Sequence, residues 1–427
     1  MEIVLLFGSL IFFILLSVPI GIALGLATVL TLVLTSNIPL LMIAQNAFAA
    51  LDSFPLMAIP FFILAGSLMS HAGVSRRLLN LANTMVGFIT GGLAMVTTLA
   101  CMFFAAISGS GPATVSAIGS FMIPAMREKN YDPGFAAAIS AAAGTIGVII
   151  PPSIPFVIYG VVTGVSVGEM FVAGFVPGIL IGLGLMIASY VVAKREGYAG
   201  TGRRATWGEF LHALNDAKWA LLVPVIILGG IYGGIFTPTE AAVIAVVYAL
   251  VIGFFVHREL TLKTVYQALV ETALINGATT FMIGLSMSFA NFLTMEQVPA
   301  AIGTFLLGVS SSKIVVLLLL NVLLLFVGCF IDNISSCIIL APILLPVVTK
   351  LGVDPVHFGI FMTANLAIGF VTPPYGANLF VASAVAGVTM ERIVRFIVPF
   401  LVALFVVLTL LTYVPVLSLW LPHLLMH

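Results

Sequence analysis

Asp132-Pro133, followed eighteen residues on by Pro151-Pro152, and Asp354-Pro355, followed eighteen residues on by Pro373-Pro374, are one pattern written twice. Pro355 lies 222 residues after Pro133, Pro373 lies 222 after Pro151, and Pro346 lies 222 after Pro124. Upstream of each copy, at nearly the same offset, a short polar interruption cuts an apolar run: Ser108-Gly-Ser-Gly-Pro112 in the first and Asp332-Asn-Ile-Ser-Ser336 in the second. Proline removes a helix donor and glycine accepts bends that other residues resist, so both mark places where a helix stops. The chain reads as two homologous halves, each carrying two helix breaks.

Composition decides the solvent around those halves. Of the 427 residues 62% are hydrophobic and 7% charged, against roughly 25% charge in soluble domains, and the mean hydropathy is +1.27. Such a chain cannot cover itself with water-facing side chains, so it is an integral, all-α polytopic membrane protein in a lipid bilayer. The first apolar segment, Ile3 to Ser36, lacks the basic n-region and small-residue cleavage site of a signal peptide and is expected to be retained. A formal net charge of zero argues against nucleic acid as a partner. Cys101, Cys329 and Cys337 all sit in apolar runs and read as packed free thiols rather than a disulfide or metal cluster. The six histidines show no paired metal-type spacing and read as solvated or interfacial.

With about twenty apolar residues per span, Ile3 to Ser36 holds two closely joined helices with Pro19 and Gly21 near the join. Asn37 to Phe54 is interfacial, and Pro55 to Ser70 crosses or nearly crosses. His71 to Asn83 is an amphipathic surface helix. Thr84 to Ile107 runs to the first break, Ala113 to Met126 follows it, Pro133 to Ile150 runs to Pro151-Pro152, and Phe156 to Val165 and Met170 to Ala193 complete the half. The polar, basic stretch 194–218 then divides a first repeat, 1–193, from a second, 219–427. In the second half Trp219 to Phe236, Ala241 to Val256, Asn276 to Leu293, Lys313 to Ile331, Ile338 to Lys350, Pro355 to Val371, Tyr375 to Gly387 and Ile397 to Leu419 are helices. His257 to Glu271 lies on a surface, and Glu240 falls in the first turn of its helix.

Charge supplies the orientation. Arg76 and Arg77 shifted by 222 land on Val298 and Pro299, and Lys194 and Arg195 land on Val416 and Leu417, so basic clusters of one half have almost no basic counterpart in the other. Under the positive-inside rule, equivalent loops therefore face opposite sides of the membrane. The repeats are inverted, with both termini outside. Parity between the cytoplasmic clusters at Arg76/Arg77, Arg127/Lys129 and Lys194 makes 84–126 a hairpin with Ser108-Gly-Ser-Gly-Pro112 near its far point, and makes 133–165 one discontinuous crossing. The second half repeats both.

Unsatisfied backbone is too costly in lipid to survive unless it is buried in protein or lines a cavity, and inverted repeats with paired breaks are the mark of a secondary transporter with its site near the midplane. Helix C-termini at Ile107 and Ile331 leave carbonyls able to replace the hydration shell of Na⁺, while helices restarting after each break aim N–H groups at an anion. Ser108, Ser110, Ser153, Asn333 and Thr372 add neutral oxygens suited to a hard cation. Gly109, Gly111, Gly147, Gly328 and Gly369 allow close backbone approach. Against these roles stands the use of small residues for plain helix packing; the doubling at a fixed offset favours the site. Asp332 is the one acidic residue near the middle of a strongly apolar run, where carboxylates are functional by default, although an N-cap role is the alternative. Tyr375 and Asn378, just beyond the second Pro-Pro, are positioned to line a ligand cavity, and Ser110, Gly111, Ser153, Asp332 and Asn333 are the further candidates for holding the substrate. No paired carboxylates, His/Cys cluster or Ser-His-Asp set stands in the apolar core, which argues against an enzyme, and twin breaks suit occluded sites better than the continuous polar pore of a channel.

Pro60-Phe-Phe-Ile-Leu-Ala-Gly66, Ser108-Gly-Ser-Gly111, Ile150-Pro-Pro-Ser-Ile-Pro155, Phe236-Thr-Pro-Thr-Glu-Ala241 and Thr372-Pro-Pro374 resemble the large membrane subunit of tripartite ATP-independent periplasmic (TRAP) transporters, and the resemblance runs from end to end. It implies a bacterial inner-membrane, Na⁺-driven elevator that imports an organic acid delivered by a periplasmic substrate-binding protein. Carried over by motif, one Na⁺ site would involve the Ser108–Gly111 tip with Gly147 and Ser153, and the other Gly328, Asp332, Asn333, Gly369 and Thr372. The resemblance also implies a separate small membrane subunit of about four helices, since such a subunit is sometimes fused to the large one and the chain starts directly at the large subunit. Ala113-Thr-Val-Ser116 is more similar to the sialic acid members than to the dicarboxylate ones, so N-acetylneuraminate is the expected substrate. A C4-dicarboxylate or other carboxylate, or a stand-alone Na⁺/carboxylate symporter of related architecture, are the alternatives.

Overall fold

The computed structural model describes residues 2–16, 18–35, 38–298, 301, 312–373 and 376–426. The first repeat runs through α1 (Glu2–Leu15), α2 (Ile20–Thr35), α3 (Leu41–Leu51), α4 (Ala58–His71, led in by a 3-10 turn Phe54–Met57), α5 (Val74–Val86), α6 (Gly92–Ser108), α7 (Gly111–Glu128), α8 (Pro133–Gly144, prolonged by a 3-10 turn Thr145–Val148), α9 (Ile154–Thr163) and α10 (Val167–Glu196). The second runs through α11 (Trp207–Tyr232), α12 (Pro238–Val251, ending in a π turn Ile252–Val256), α13 (Leu262–Met295), α14 (Lys313–Phe330), α15 (Asn333–Lys350), α16 (Pro355–Gly369), α17 (Ala377–Ala386), α18 (Met390–Tyr413) and α19 (Val416–Leu425). Among the described residues eight helices are long and apolar enough to cross a membrane: α4 with its 3-10 turn, α10 to α15, and α18. The chain is a multi-pass, all-helical membrane protein.

The 222-residue offset carries into the helix bounds. Shifted by 222, α7 falls on 333–350, the span of α15, while α6 falls on 314–330 against α14 at 313–330. The start of α8 falls on Pro355, the first residue of α16. The contacts repeat as well, and they cross between halves. α7 packs on α17 as α15 packs on α9; α8 packs on α18 as α10 packs on α16; α4 packs on α12 as α13 packs on α2. Each repeat's hairpin is thus held by the other repeat's broken helix.

The breaks are built as their residues dictate. Gly109 ends α6 at φ 63, a left-handed turn that favours glycine, and Ser110 is extended before Pro112 enters the first turn of α7. In the second half Ile331 and Asp332 are both extended. Asp132 and Asp354 cap the discontinuous helices, accepting from the Gly134 N–H at 2.6 Å and the Val356 N–H at 2.8 Å. Asp132 also pairs with Arg392 across the repeats at 2.9 Å. Burial raises this carboxyl, but the Arg392 hydrogen bond and the Gly134 N–H outweigh it and hold Asp132 below its ordinary range.

Several segments differ from expectation. The helix expected to begin at Thr84 begins at Gly92, because the chain turns at Gly91, left-handed at φ 72. Of the polar stretch 194–218 only 197–206 lies outside a helix: α10 continues through Glu196, and a Thr206–Glu209 capping box starts α11 twelve residues before Trp219. The Thr206 backbone N–H, and then Arg203, hold the Glu209 carboxyl below its ordinary range. His257–Glu271 is not a separate surface piece, since the Thr261 cap opens one 34-residue helix, α13. Pro415 splits the expected last span into α18 and α19. His357, read as solvated or interfacial, is instead 2% exposed, with its Nδ1 2.6 Å from Ser418 Oγ and its Nε2 3.2 Å from the Thr412 carbonyl. Those partners come from the end of the chain, so nothing near His357 in sequence announces its burial. The three cysteines are buried free thiols, as expected.

The inversion expected from the charge pattern would place exposed Thr201 and Lys350 on opposite sides of the membrane. In a background lacking Cys101, Cys329 and Cys337, a membrane-impermeant maleimide is expected to label Lys350→Cys in cells with a permeabilised outer membrane and Thr201→Cys only after the inner membrane is opened. Labelling of both from one side contradicts the inversion.

Candidate functional site

At the first hairpin tip, oxygen atoms gather around a glycine. Ser108 Oγ lies 2.9 Å from Thr114 Oγ1, which in turn donates to the Ser110 carbonyl at 2.8 Å. Gly147, in the 3-10 turn after α8, faces this group: a Cβ there would sit 2.5 Å from both the Ser110 carbonyl oxygen and Thr114 Oγ1. The same tip rests on the break between α8 and α9, where the Ile154 N–H donates to the Gly109 carbonyl at 3.4 Å, and a Cβ on Gly109 would meet the Pro152 carbonyl at 2.8 Å. Ser153 caps α9 from a fully buried position, donating to the Val148 carbonyl at 2.6 Å and accepting from the Phe156 N–H at 3.4 Å. Ser108, Gly109, Ser110, Gly147 and Ser153 are therefore brought together, and the hydroxyls and carbonyls around Gly147 offer the uncharged, oxygen-only environment that suits Na⁺.

The second tip is arranged differently. Gly328 of α14 and Gly369 of α16 are pressed backbone to backbone, so that a Cβ on Gly369 would run into the Gly328 carbonyl carbon. Thr372 Oγ1 donates to the Ile368 carbonyl at 2.8 Å. Asp332 caps α15, accepting from the Ser335 N–H at 2.9 Å and the Ser335 hydroxyl at 2.5 Å, and with Gly328, Ile331 and Phe370 it also lines a cavity of about 290 Å³. Cap and cavity wall are thus combined in one carboxylate. Asn333 is 2% exposed and Ser336 fully buried, and neither side chain finds a hydrogen-bond partner among the described residues. Buried polar groups left in this way mark places where an ion, water or ligand completes the set. Tyr375 lies outside the described residues.

Asn378, at the start of α17, joins the two halves. Its Nδ2 donates to the Ala141 carbonyl of α8 at 3.2 Å, and its Oδ1 would lie 3.1 Å from a Cβ on Gly111. A residue of the second repeat thereby closes on the tip of the first. Sequence reading missed Thr114 and Ser336, although Ser336 lies 222 residues after Thr114 and each sits one turn past its break. The offset that singled out the prolines would have found this pair too.

A cavity of about 510 Å³ lies under the first tip. Ser108, Ser110, Ala113 and Ser116 form one side, with Ile154 and, from the second hairpin, Ile334. The opposite wall is α4 and α13, contributing Ser67, Ser70, His71, Glu271 and Thr279. The hydroxyls and the N-terminal turns of α7 and α9 on the hairpin side suit a small organic anion, while the opposite wall, polar as well, sets the Glu271 carboxylate against one.

Comparison with known proteins agrees with this architecture. Residues 7–417 match the model of the family described as "Tripartite ATP-independent periplasmic transporter, DctM component". The chain is 53% identical over 410 residues to the isethionate TRAP transporter permease protein DctMQ of Oleidesulfovibrio alaskensis, covering 96% of this chain and 65% of that protein. It is 44% identical to the C4-dicarboxylate TRAP transporter large permease protein DctM of Pseudomonas aeruginosa, covering 94% of each. It is 40% identical to the sialic acid TRAP transporter large permease protein SiaM of Vibrio cholerae, covering 95% of this chain and 95% of that protein. In fold it resembles the YdaH transporter of Alcanivorax borkumensis, with a TM-score of 0.62 at 16% identity over 89% of this chain and 87% of that one.

Overpacking a tight core costs about 1–3 kcal/mol. Gly147→Ala and Gly369→Ala are each expected to lower the unfolding midpoint by several degrees, whereas Gly229→Ala, in a helix with open space around it, does not lower it. A thermal melt of the purified chain checks this; equal midpoints for all three contradict the close packing.

Proposed function

The chain belongs to the DctM component family of tripartite ATP-independent periplasmic transporters, which are transporters and not enzymes, and on that premise we propose that it is the large membrane subunit of a Na⁺-coupled importer of a small organic anion. The observation that carries the reading is the crossing of the repeats at the breaks: the Ser108–Gly111 tip, the 3-10 turn with Gly147, and Asn378 from the other half close around one point, beside a cavity of about 510 Å³. Two cation sites are proposed. One uses Ser108, Gly109, Ser110, Thr114 and Gly147, with Ser153 supporting the break; the other uses Gly328, Asp332, Asn333, Ser336, Gly369 and Thr372. The anion is held by Ser110, Gly111, Asn378 and Tyr375, with Asp332 and Asn333 near it.

A cation bound at each break fixes its tip and supplies positive charge beside the anion, so that anion and Na⁺ bind with mutual advantage and move together. Transport follows as an elevator movement of α6 to α10 and α14 to α19, carrying the site against a scaffold of α1 to α4 and α11 to α13. Isethionate is the first substrate to test, since the relative bearing that name is the most similar of the three compared. C4-dicarboxylates come next and N-acetylneuraminate after them, the latter supported by Ala113 and Ser116 lining the cavity. The protein works in the bacterial inner membrane with a small membrane subunit and a periplasmic binding protein. The relative DctMQ, whose name joins M and Q, supports the first partner.

Proteoliposomes holding the chain and its small subunit, given an inward Na⁺ gradient and purified binding protein, are expected to take up isethionate, succinate or N-acetylneuraminate only when all components are present, with a rate rising faster than linearly in Na⁺. Uptake without binding protein would replace this reading with a stand-alone symporter, and uptake indifferent to Na⁺ would remove the coupling.

A further inference from the structure

The inverted repeat provides an internal control for the wall that the anion faces. On the side of the 510 Å³ cavity away from the hairpin, Glu271 of α13 accepts from Ser67 Oγ of α4 at 2.8 Å, and His71 Nε2 lies 3.7 Å from the same carboxylate oxygen. The Glu271 side chain is 54% exposed, so its charge stands in the cavity rather than inside the protein. His71 ends α4 and leads directly into Arg76 and Arg77, which pair with Glu259 and Asp216. By the positive-inside rule, this is the cytoplasmic end of the path.

The equivalent positions on the other face, 222 residues away, carry a different chemistry. Ser67, Ser70 and His71 correspond to Phe289, Phe292 and Leu293, all fully buried, and Glu271 corresponds to Ala49. Asp52, the acidic residue nearest to Ala49 in the chain, is exposed beyond the C-terminus of α3. The equivalent positions are therefore apolar and buried in one half, while in the other they present a carboxylate to the cavity.

We propose that Glu271 is an electrostatic release element, a residue of the cavity wall that weakens anion binding only when the site faces the cytoplasm. The inference rests on reading the protein as an importer of an organic anion. A like charge facing the anion across an open cavity, at an effective dielectric between those of protein and water, weakens binding by roughly three- to tenfold. Lower affinity on one side does not change the final gradient, which the driving ions set. It shortens the time the anion occupies the inward site and lessens inhibition by anion already inside. The Ser67 hydrogen bond keeps the carboxylate turned along the wall, and Ser67 acts as its positioning residue.

Glu271→Gln tests this, because glutamine keeps the acceptor for the Ser67 hydroxyl and removes only the charge. In proteoliposomes with the small subunit and binding protein, and with whichever of isethionate, succinate or N-acetylneuraminate the wild type carries, two quantities are measured. One is the internal anion concentration that halves the initial uptake rate, and the other is the external concentration that half-saturates uptake. Glu271→Gln is expected to lower the first about fivefold and leave the second unchanged, with the difference shrinking at high salt; Glu271→Asp stays near wild type. If the wild type transports but Glu271→Gln changes neither value, or moves both by one factor, the release role is wrong. If the wild type carries none of the three anions, the importer reading fails and this inference fails with it.

Discussion

A helix that stops inside a membrane leaves backbone groups that lipid cannot satisfy, and this structure is organised around meeting that constraint four times. At the first tip the Gly109 carbonyl accepts from the Ile154 N–H, so one break of the repeat satisfies the other. At the second, the Gly376 N–H donates to the Cys329 carbonyl and the Asn378 N–H to the Phe370 carbonyl. Serine and aspartate caps take up further donors, through Ser153 and Asp332. Glycine is needed because these contacts bring backbone against backbone, as between Gly328 and Gly369. Interlocking of the repeats follows from the same requirement: a tip buried only by its own half would have one side facing lipid, so each hairpin lies against the broken helix of the other half.

That solution leaves polar atoms facing inward at a few places, and those are the places where we propose that ions and substrate bind. Around Gly147 the oxygens of Ser108, Ser110 and Thr114 are already close enough to share hydrogen bonds, so little rearrangement is needed for a cation to draw on them. Past the second break the amide of Asn333 and the hydroxyl of Ser336 are buried without partners among the described residues, so the second of the proposed sites is the more dependent on an occupant. The two tips differ in how much of their polar chemistry they satisfy internally. Unequal affinity is what we propose for the two sites in consequence.

Much of this was legible before any coordinates. Prolines at a 222-residue offset located the breaks, and α7 and α15 coincide under that offset. Charge asymmetry implied inversion, because basic side chains are readable one by one. What escaped depended on contacts between distant segments. His357 is buried because Thr412 and Ser418 reach it from the end of the chain. The run of α13 through Glu271 is set by one cap at Thr261 rather than by hydropathy, which dips across that stretch. Thr114 and Ser336 passed unnoticed because a hydroxyl one turn into a helix looks ordinary until Gly147 is seen to face the first and the second is seen to be buried without a partner among the described residues. Substrate identity was read from four residues, Ala113 to Ser116; two of them do line the cavity, while overall similarity is higher to permeases named for isethionate and C4-dicarboxylates.

The central claim is that the interlocked breaks are cation sites. It is tested most directly by thermal unfolding of the purified chain in NaCl against KCl and choline chloride at constant ionic strength. A ligand that binds only the folded state stabilises it by about 2.7 kcal/mol at a hundred times its Kd, so the account predicts a saturable rise in the midpoint of several degrees with Na⁺ alone. That rise should be reduced in Thr114→Val and Ser336→Ala. Midpoints that are the same in all three salts would contradict it.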